Sequence, residues 1–504
     1  MLLNELMKVV DYTEITNRSG IDVNTTEISS ISSDSRNASK NSLFVCIVGS
    51  VDDGHEYAHS AYSRGCRVFV TEKPITVEDD AYIITVKDSR VALAQLSAAF
   101  FDYPADKMTL IGITGTKGKT TSSLLIYNVL KENGIPAGYI GSNGISYNDI
   151  QQETVNTTPE SYSLHETLRK MYNEGVRTVV MEVSSQALKM ARVHGIKFKI
   201  GVFTNLSPDH IGEFEHPDFN DYKNCKHTLF TDYGVEYVVY NADDEYANEM
   251  VTGSHSEKVS LSGKGNADTD YCAENIYFYR TASRIAVNFR CKAKEETYEV
   301  DLSFPGEFTV YNALTAIAVC KKLGLQTEQI VSALKNVKIA GRFEPFALPN
   351  GATVVIDYAH NGVSLKAALT ALREYVPSRL ICLFGSVGGR TKMRRAELGL
   401  VASRDADFCI LTSDNPDYES PSAIIAEIAS YFTAGSCPYV AIADREKAIE
   451  HALEMSQQGD IILLAGKGHE TYQLICGKRE HFSEADIIAR YCENYNKEKE
   501  EITN

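Results

Sequence analysis

The stretch from Met108 to Leu130, MTLIGITGTKGKTTSSLLIYNVL, constrains this chain more than any other. An apolar run, Met108 to Ile113, passes directly into Thr114-Gly115-Thr116-Lys117-Gly118-Lys119-Thr120. Leu124, Leu125, Val129 and Leu130 then recur at helical spacing. Buried strand, glycine loop and helix, in that order, is the layout of a P-loop. Glycines let backbone N–H groups close around phosphate oxygens, and the helix N-terminus adds positive potential. Gly115, Thr116, Lys117, Gly118, Lys119, Thr120 and Thr121 are therefore the candidate ATP-binding residues. Lys119 is suited to the terminal phosphates and the Thr120 hydroxyl to Mg²⁺. One departure stands out: Ile113 occupies the place of the first glycine in the general pattern G-x-x-x-x-G-K-[ST].

A chain of 504 residues is long enough for two to four domains. Its formal charge of −17 argues against a general binder of nucleic acid or anionic membrane, while leaving room for a local basic pocket. No apolar run approaches the roughly 20 residues of a membrane span. The N-terminus carries neither a basic leader nor a small-residue cleavage site, so a cytoplasmic location is expected. The eleven cysteines contain no C-x-x-C pair, and Cys382 and Cys409 lie in apolar runs. Buried, reduced thiols are the expected state.

The pattern of apolar runs divides the chain into three α/β parts. Residues 1–106 alternate short strands (LFVCIVG, CRVFVTE) with helical segments, and carry the polar loops Ser33-Asp34-Ser35-Arg36 and Asp53-Gly54-His55. Residues 107–336 hold the P-loop. Two further strands there deliver Glu182 and Asp209/His210 to their C-terminal ends, where phosphate–metal sites form in open sheets. Residues 253–303 look β-rich. Residues 337–504 alternate buried strands (ATVVIDYA, RLICLFG, ADFCILT, DIILLAG) with helices, which argues for an open parallel sheet. Gly388-Gly389-Arg390, Asp414-Asn415-Pro416-Asp417 and Gly466-Lys467-Gly468-His469-Glu470 follow those strands.

Taken in order, DSR, LFVCIVGSVDDGH, GITGTKGKTTS, NTTPE, MEVSSQAL, FTNLSPDH, CKHTLF, AGRFEP, VVIDYAHN, DNPDYESP and GKGHETYQ resemble the Mur ligases, in particular the tripeptide-synthetase branch. The resemblance implies a UDP-binding N-terminal domain, a central ATPase with a parallel sheet and a Rossmann-like C-terminal domain. It implies that ATP phosphorylates the free D-glutamate carboxylate of UDP-MurNAc-L-Ala-D-Glu, and that an amine then displaces phosphate from the acyl phosphate. Two anions meet in the first step, so cations must screen them. Lys119, Glu182, His210 and Lys226 are the implied catalytic residues. Thr120, Glu182, His210 and a CO₂-derived carbamate on Lys226 are the implied Mg²⁺ ligands. The resemblance nominates Ser33, Ser35, Thr157, Thr158, Ser184 and Arg192 for the UDP substrate. It nominates Asn312, Arg342 and Asp357 for adenine and ribose. Gln186 and Met190 depart from the histidine and glutamine usual at their positions. The implied partners are small molecules only, and the implied state is a monomer.

For the third amino acid the resemblance nominates Arg390, Asp414, Asn415, Pro416, Asp417, Gly466 and Glu470. Diaminopimelate-adding members read D-N-P-R at the loop where this chain has Asp417. An aspartate there would repel a distal carboxylate and attract an ammonium, so L-lysine or a similar diamino acid is favoured over meso-diaminopimelate. Arg394 or Arg395 is the alternative source of a compensating charge. Two rival readings are a ligase like folylpolyglutamate synthetase, and a P-loop nucleotide switch. The domain ahead of the P-loop argues against the first, and the lack of an N-K-x-D motif argues against a GTPase.

Overall fold

The computed structural model describes residues 1–504 except 18, 19, 50, 51, 210, 213, 214, 282, 283, 295, 390, 391 and 504. Two of the sequence-nominated residues, His210 and Arg390, thus lie outside the described residues. The chain forms two compact units. One comprises Met1–Ser262, Asn266–Tyr271 and Thr315–Thr327, and the other Gly263–Gly265, Cys272–Leu314 and Glu328–Asn504.

The first unit opens with a five-stranded sheet. The strands Ser30–Ser32, Ser42–Val45, Val68–Thr71 and Tyr82–Val86 run parallel, and Tyr12–Asn17 closes the edge antiparallel to Tyr82–Val86. Its helix Ser89–Phe100 starts at Asp88, whose carboxylate accepts from the N–H groups of Arg90 and Val91.

The P-loop strand, Thr109–Thr114, lies in the middle of the next sheet, between Thr178–Glu182 and Ile200–Phe203, both parallel to it. Tyr237–Asn241 and Glu257–Ser262 extend one side, and Ala137–Gly141, Gly144–Tyr147 and Ile150–Gln152 the other. Neither neighbour of the P-loop strand is the next strand in the chain, so connections leave it in both directions. That is a topological switch point, with its crevice at the C-terminal strand ends. Register pairs Glu182 with Ile113 and Phe203 with Thr114, so Glu182, the P-loop and Thr204 emerge at one level.

In the second unit, Thr353–Asp357, Ile461–Ala465, Leu380–Phe384, Phe408–Leu411 and Tyr439–Ala441 form a parallel sheet, edged by the antiparallel Glu344–Ala347. Side chains alternate between two cores: Val355, Cys382 and Leu463 face one, while Val354, Ile381 and Ile462 face the other. Burial on both faces explains why these strands read as unbroken apolar runs. The β-rich excursion is real as well, with Tyr271–Thr281, Arg284–Ala293 and Glu296–Leu302 as long strands. A hairpin, Tyr472–Ile475 with Lys478–His481, turns through Cys476 and Gly477. Both turn residues have positive φ, 49° and 77°, as a type I′ turn requires.

Candidate active site

The P-loop is fastened from outside. Gly115 has φ 145°, and a Cβ there would stand 2.0 Å from Thr204 Oγ1. Close approach to the neighbouring strand end is therefore what requires glycine at 115, whatever stands at Ile113. Thr116 N donates to Asn205 O at 2.8 Å, and Lys117 N to Asn205 Oδ1 at 2.9 Å. Asn205 Nδ2 and Thr204 Oγ1 both donate to Lys117 O. The helix Lys119–Glu132 begins at Gly118, φ 84°, with Thr120 in its first turn.

Glu182 is fully buried beside that turn. Its Oε2 accepts from Thr120 Oγ1 at 3.0 Å, and its Oε1 from Tyr139 OH and Ser142 N, each at 2.8 Å. Ser142 Oγ adds a fourth donor to Oε2 at 3.3 Å; the carboxylate and the Thr120 hydroxyl together form a hard, oxygen-only ligand set, which suits Mg²⁺. Tyr139 and Ser142 are partners of Glu182 that its sequence position does not reveal. They lie some 40 residues before Glu182, and only sheet pairing unites them.

Lys226, on the helix Phe219–Thr231, is 1% exposed. Its Nζ donates to Gly115 O at 2.9 Å and lies 4.5 Å from the centre of the Tyr222 ring. Among the described residues no carboxylate stands within ion-pair distance of it. Burial, and secondarily the charge of Lys119, push its pKa well below the ordinary lysine value. Lys119 Nζ itself donates to Gly115 O and Thr116 O at 2.8 and 3.0 Å. Lys117 pairs with Asp209 at 3.5 Å.

Four of the nominated UDP-substrate residues gather around the same strand end. Thr158 Oγ1 donates to Glu182 O at 2.8 Å and accepts from Ser184 N at 3.1 Å. Thr157 meets Ser142 Oγ at 3.0 Å, and Arg192 donates to Thr158 O and pairs with Glu160. The N-terminal loops are more self-contained. Asp34 pairs with Arg36, Ser33 is exposed and Ser35 buried. The DGH loop is structural: His55 is buried between Asp53 and the backbone N–H of Glu72.

In the second unit, Asp357 is buried beside Arg342, whose guanidinium lies 4.9 Å from the centre of the Tyr358 ring. Burial pushes the Asp357 carboxyl up to about 6, with Arg342 opposing it. Asn312 is buried on the helix Glu307–Lys322.

The loop Asp414-Asn415-Pro416-Asp417 is built around a buried cation. Lys467 is fully buried and donates to Asn415 Oδ1 and Glu470 Oε2 at 2.8 and 2.9 Å, with Asp414 Oδ1 at 3.6 Å. Asn415 Nδ2 also donates to Glu470 Oε2. Gly466 has φ 116°, a conformation that favours glycine, and a Cβ there would stand 2.9 Å from Asp414 Oδ2.

Asp417 is held by the hairpin that follows Gly466 to Glu470. Its Oδ1 accepts from Gly477 N at 2.7 Å, its N–H donates to Leu474 O, and its carbonyl accepts from Cys476 N. With φ 51°, Asp417 caps the hairpin turn through one carboxylate oxygen. Arg395 is likewise committed, to Glu419 and Glu427 at 2.6 to 2.8 Å, so it supplies no compensating charge.

Three family models match the chain: "Mur ligase family, catalytic domain" over 27–101, "Mur ligase middle domain" over 113–320 and "Mur ligase, glutamate ligase domain" over 341–468. The chain is also 40% identical, over 97% of its length and 98% of the relative's, to a UDP-N-acetylmuramoyl-L-alanyl-D-glutamate--2,6-diaminopimelate ligase of Caldanaerobacter subterraneus subsp. tengcongensis. The chain belongs to the Mur ligase family. A protein of the same name from Clostridium perfringens is 34% identical over 97% of this chain and 99% of its own. Membership makes the chain a ligase and displaces the nucleotide-switch reading. Among solved structures, a ligase of that name matches with TM-score 0.70 and 24% identity, covering 98% of this chain and 99% of its own. A folylpolyglutamate synthase of Mycobacterium tuberculosis matches with TM-score 0.61 and 16% identity, covering 75% of this chain and 91% of its own. Both likenesses concern the fold. The lean towards lysine finds no support in relatives named as diaminopimelate ligases. Among the described residues no helix is long and apolar enough to cross a membrane.

Proposed function

We propose that the protein is the ATP-dependent ligase that joins 2,6-diaminopimelate to UDP-MurNAc-L-Ala-D-Glu, through an acyl phosphate. The observation that carries this is 40% identity across nearly the whole chain to a ligase of that name. Two features of the chain support it. The P-loop stands beside a buried carboxylate at a switch point, and the second unit holds a buried lysine–carboxylate cluster at its strand ends.

In this reading Gly115 to Thr121 cradle the ATP phosphates and Lys119 screens their charge as the D-glutamate carboxylate attacks. Thr120 and Glu182 would hold Mg²⁺, together with His210 and a carbamate on Lys226. Mg²⁺ would supply charge neutralisation at the phosphates. Lys226 suits modification because burial favours the neutral amine, the form that combines with CO₂. Asn312, Arg342 and Asp357 would take adenine and ribose. Ser33, Ser35, Thr157, Thr158, Ser184 and Arg192 would take the nucleotide sugar. Arg390, Asp414, Asn415, Pro416, Gly466 and Glu470 would hold the incoming amino acid. Asp414 and Glu470 would offer carboxylates to the substrate's ammonium groups, with Lys467 held between them. The functional division of the chain falls near residues 106 and 336, and the enzyme acts as a cytoplasmic monomer.

The test is phosphate release by the purified protein with ATP, Mg²⁺ and UDP-MurNAc-L-Ala-D-Glu, offering meso-diaminopimelate, L-lysine or L-ornithine in turn. Dependence on diaminopimelate is expected. Dependence on lysine or ornithine instead would overturn the acceptor assignment, and indifference to the UDP substrate would overturn the ligase reading.

A further inference from the structure

Ser185, His216 and Asp221 form a hydrogen-bonded relay in the first unit, with Ser185 and His216 buried and Asp221 half-buried. His216 is fully buried; its Nδ1 lies 2.6 Å from Asp221 Oδ2 and its Nε2 2.9 Å from Ser185 Oγ. The Asp221 carboxylate is held below its ordinary range, first by Lys189, whose Nζ lies 2.7 Å from the same Oδ2. An ionised carboxylate only accepts. The His216 Nδ1–H therefore donates to Asp221, Nε2 is left as an acceptor, and the Ser185 hydroxyl donates to it.

The relay fastens one particular element. Ser185–Lys189 is a helix of five residues, too short to hold its place through its own hydrogen bonds. Its first residue, Ser185, reaches Asp221 through His216, and its last, Lys189, reaches Asp221 directly. Asp221 lies in the first turn of Phe219–Thr231, the helix that carries Lys226. Its neighbour Tyr222 packs edge-on to the His216 ring, at 5.3 Å, and meets Thr116 Oγ1 at 3.1 Å. The N-cap of the short helix is Ser184, beside Thr158.

We propose that His216 is a positioning residue that locks the Ser184–Ser185 turn, where the muramyl dipeptide binds, to the helix bearing Lys226. The substrate-binding turn and the lysine beside the P-loop are thereby held in register. This rests on the ligase reading above.

The side-chain geometry offers a direct test in the full-length enzyme. His216→Asn retains a donor at the Nδ1 position and loses the acceptor for Ser185. His216→Gln retains a polar group at the Nε2 position and loses the link to Asp221. Ser185→Ala removes the upper link from the other side. KM for UDP-MurNAc-L-Ala-D-Glu should rise roughly tenfold in His216→Asn and in Ser185→Ala, with KM for ATP unchanged. The double variant should be no worse than either single one, because both remove the same hydrogen bond. Multiplying losses, or equal rises in both KM values, would overturn the proposal. If His216→Asn fails to fold, Ser185→Ala decides alone: an unchanged KM for the nucleotide sugar overturns the relay. The wild-type control separates the two readings, since a protein that ignores the UDP substrate refutes the ligase assignment before any variant is compared.

Discussion

Lys119 and Lys226 converge on one oxygen: their Nζ atoms lie 2.8 and 2.9 Å from the Gly115 carbonyl. Two amines on one acceptor, one of them fully buried, favour loss of a proton from the buried one. Lys226→Arg would place a fixed charge there and could not carry a carbamate. Turnover should fall by about a hundredfold or more, measured as phosphate release. Isotopically labelled bicarbonate should give a carbamate NMR signal in the wild type and none in the variant. Normal turnover in Lys226→Arg would remove Lys226 from the catalytic set.

Tyr139 acts on Glu182 through a single hydrogen bond of 2.8 Å. Tyr139→Phe leaves the ring and its packing, and frees the carboxylate from one of its four donors. The Mg²⁺ concentration for half-maximal activity should rise about tenfold, the scale of losing a group that orients a metal ligand. Titration of activity with Mg²⁺ checks this, and an unshifted midpoint would count against Glu182 as a ligand.

The Asp357 carboxyl is raised from 3.8 to about 6. A raised carboxyl pKa means that the folded state binds the proton more tightly than the unfolded chain. The associated stability is therefore present below about pH 4 and is lost as pH rises towards 6. Asp357→Asn keeps the acceptor for Phe343 N and removes the titration. The stability of the wild type relative to this variant should decline over that window by on the order of 3 kcal/mol. Denaturant unfolding at pH 4 and pH 7 measures it; a pH-independent difference would refute the shift.

Asp417 caps Gly477 N at 2.7 Å in a left-handed conformation that asparagine shares. Asp417→Asn should leave the order of preference among acceptors unchanged and cost under about 1 kcal/mol of stability. A switch in acceptor preference would restore Asp417 as a selector.

Lys467 is a buried cation between Asp414 and Glu470. Lys467→Met would leave two carboxylates uncompensated, and stability should fall by roughly 3 to 5 kcal/mol. KM for the amino acid should rise while KM for the nucleotide sugar holds. Calorimetry and acceptor titration read the two effects separately.

The P-loop was legible because it is local: the strand, the glycines, Lys119 and the helix lie within 23 consecutive residues, and each follows from its own spacing. The parallel sheets were legible for a similar reason, since strands buried on both faces, such as Thr353–Asp357 and Ile461–Ala465, are continuous apolar runs. Glu182 was legible as a strand-end carboxylate. Its anchors were not, because Tyr139 and Ser142 reach it only through the pairing of Ala137–Gly141 with Thr178–Glu182.

Sequence by itself thus determined the elements, their α/β order and the identity of the groups that carry charge. Tertiary structure alone decided what each charge faces. Asp417 reads as a free anion until Gly477, 60 residues later, donates to it. Lys226 reads as an ordinary helical lysine until the fold buries it against Gly115. Ser185, His216 and Asp221 have no motif in common until two helices and the segment before the second bring them within hydrogen-bond reach. Propensity and periodicity are set by near neighbours in the chain, whereas desolvation and hydrogen bonding depend on whatever the fold places within a few ångströms.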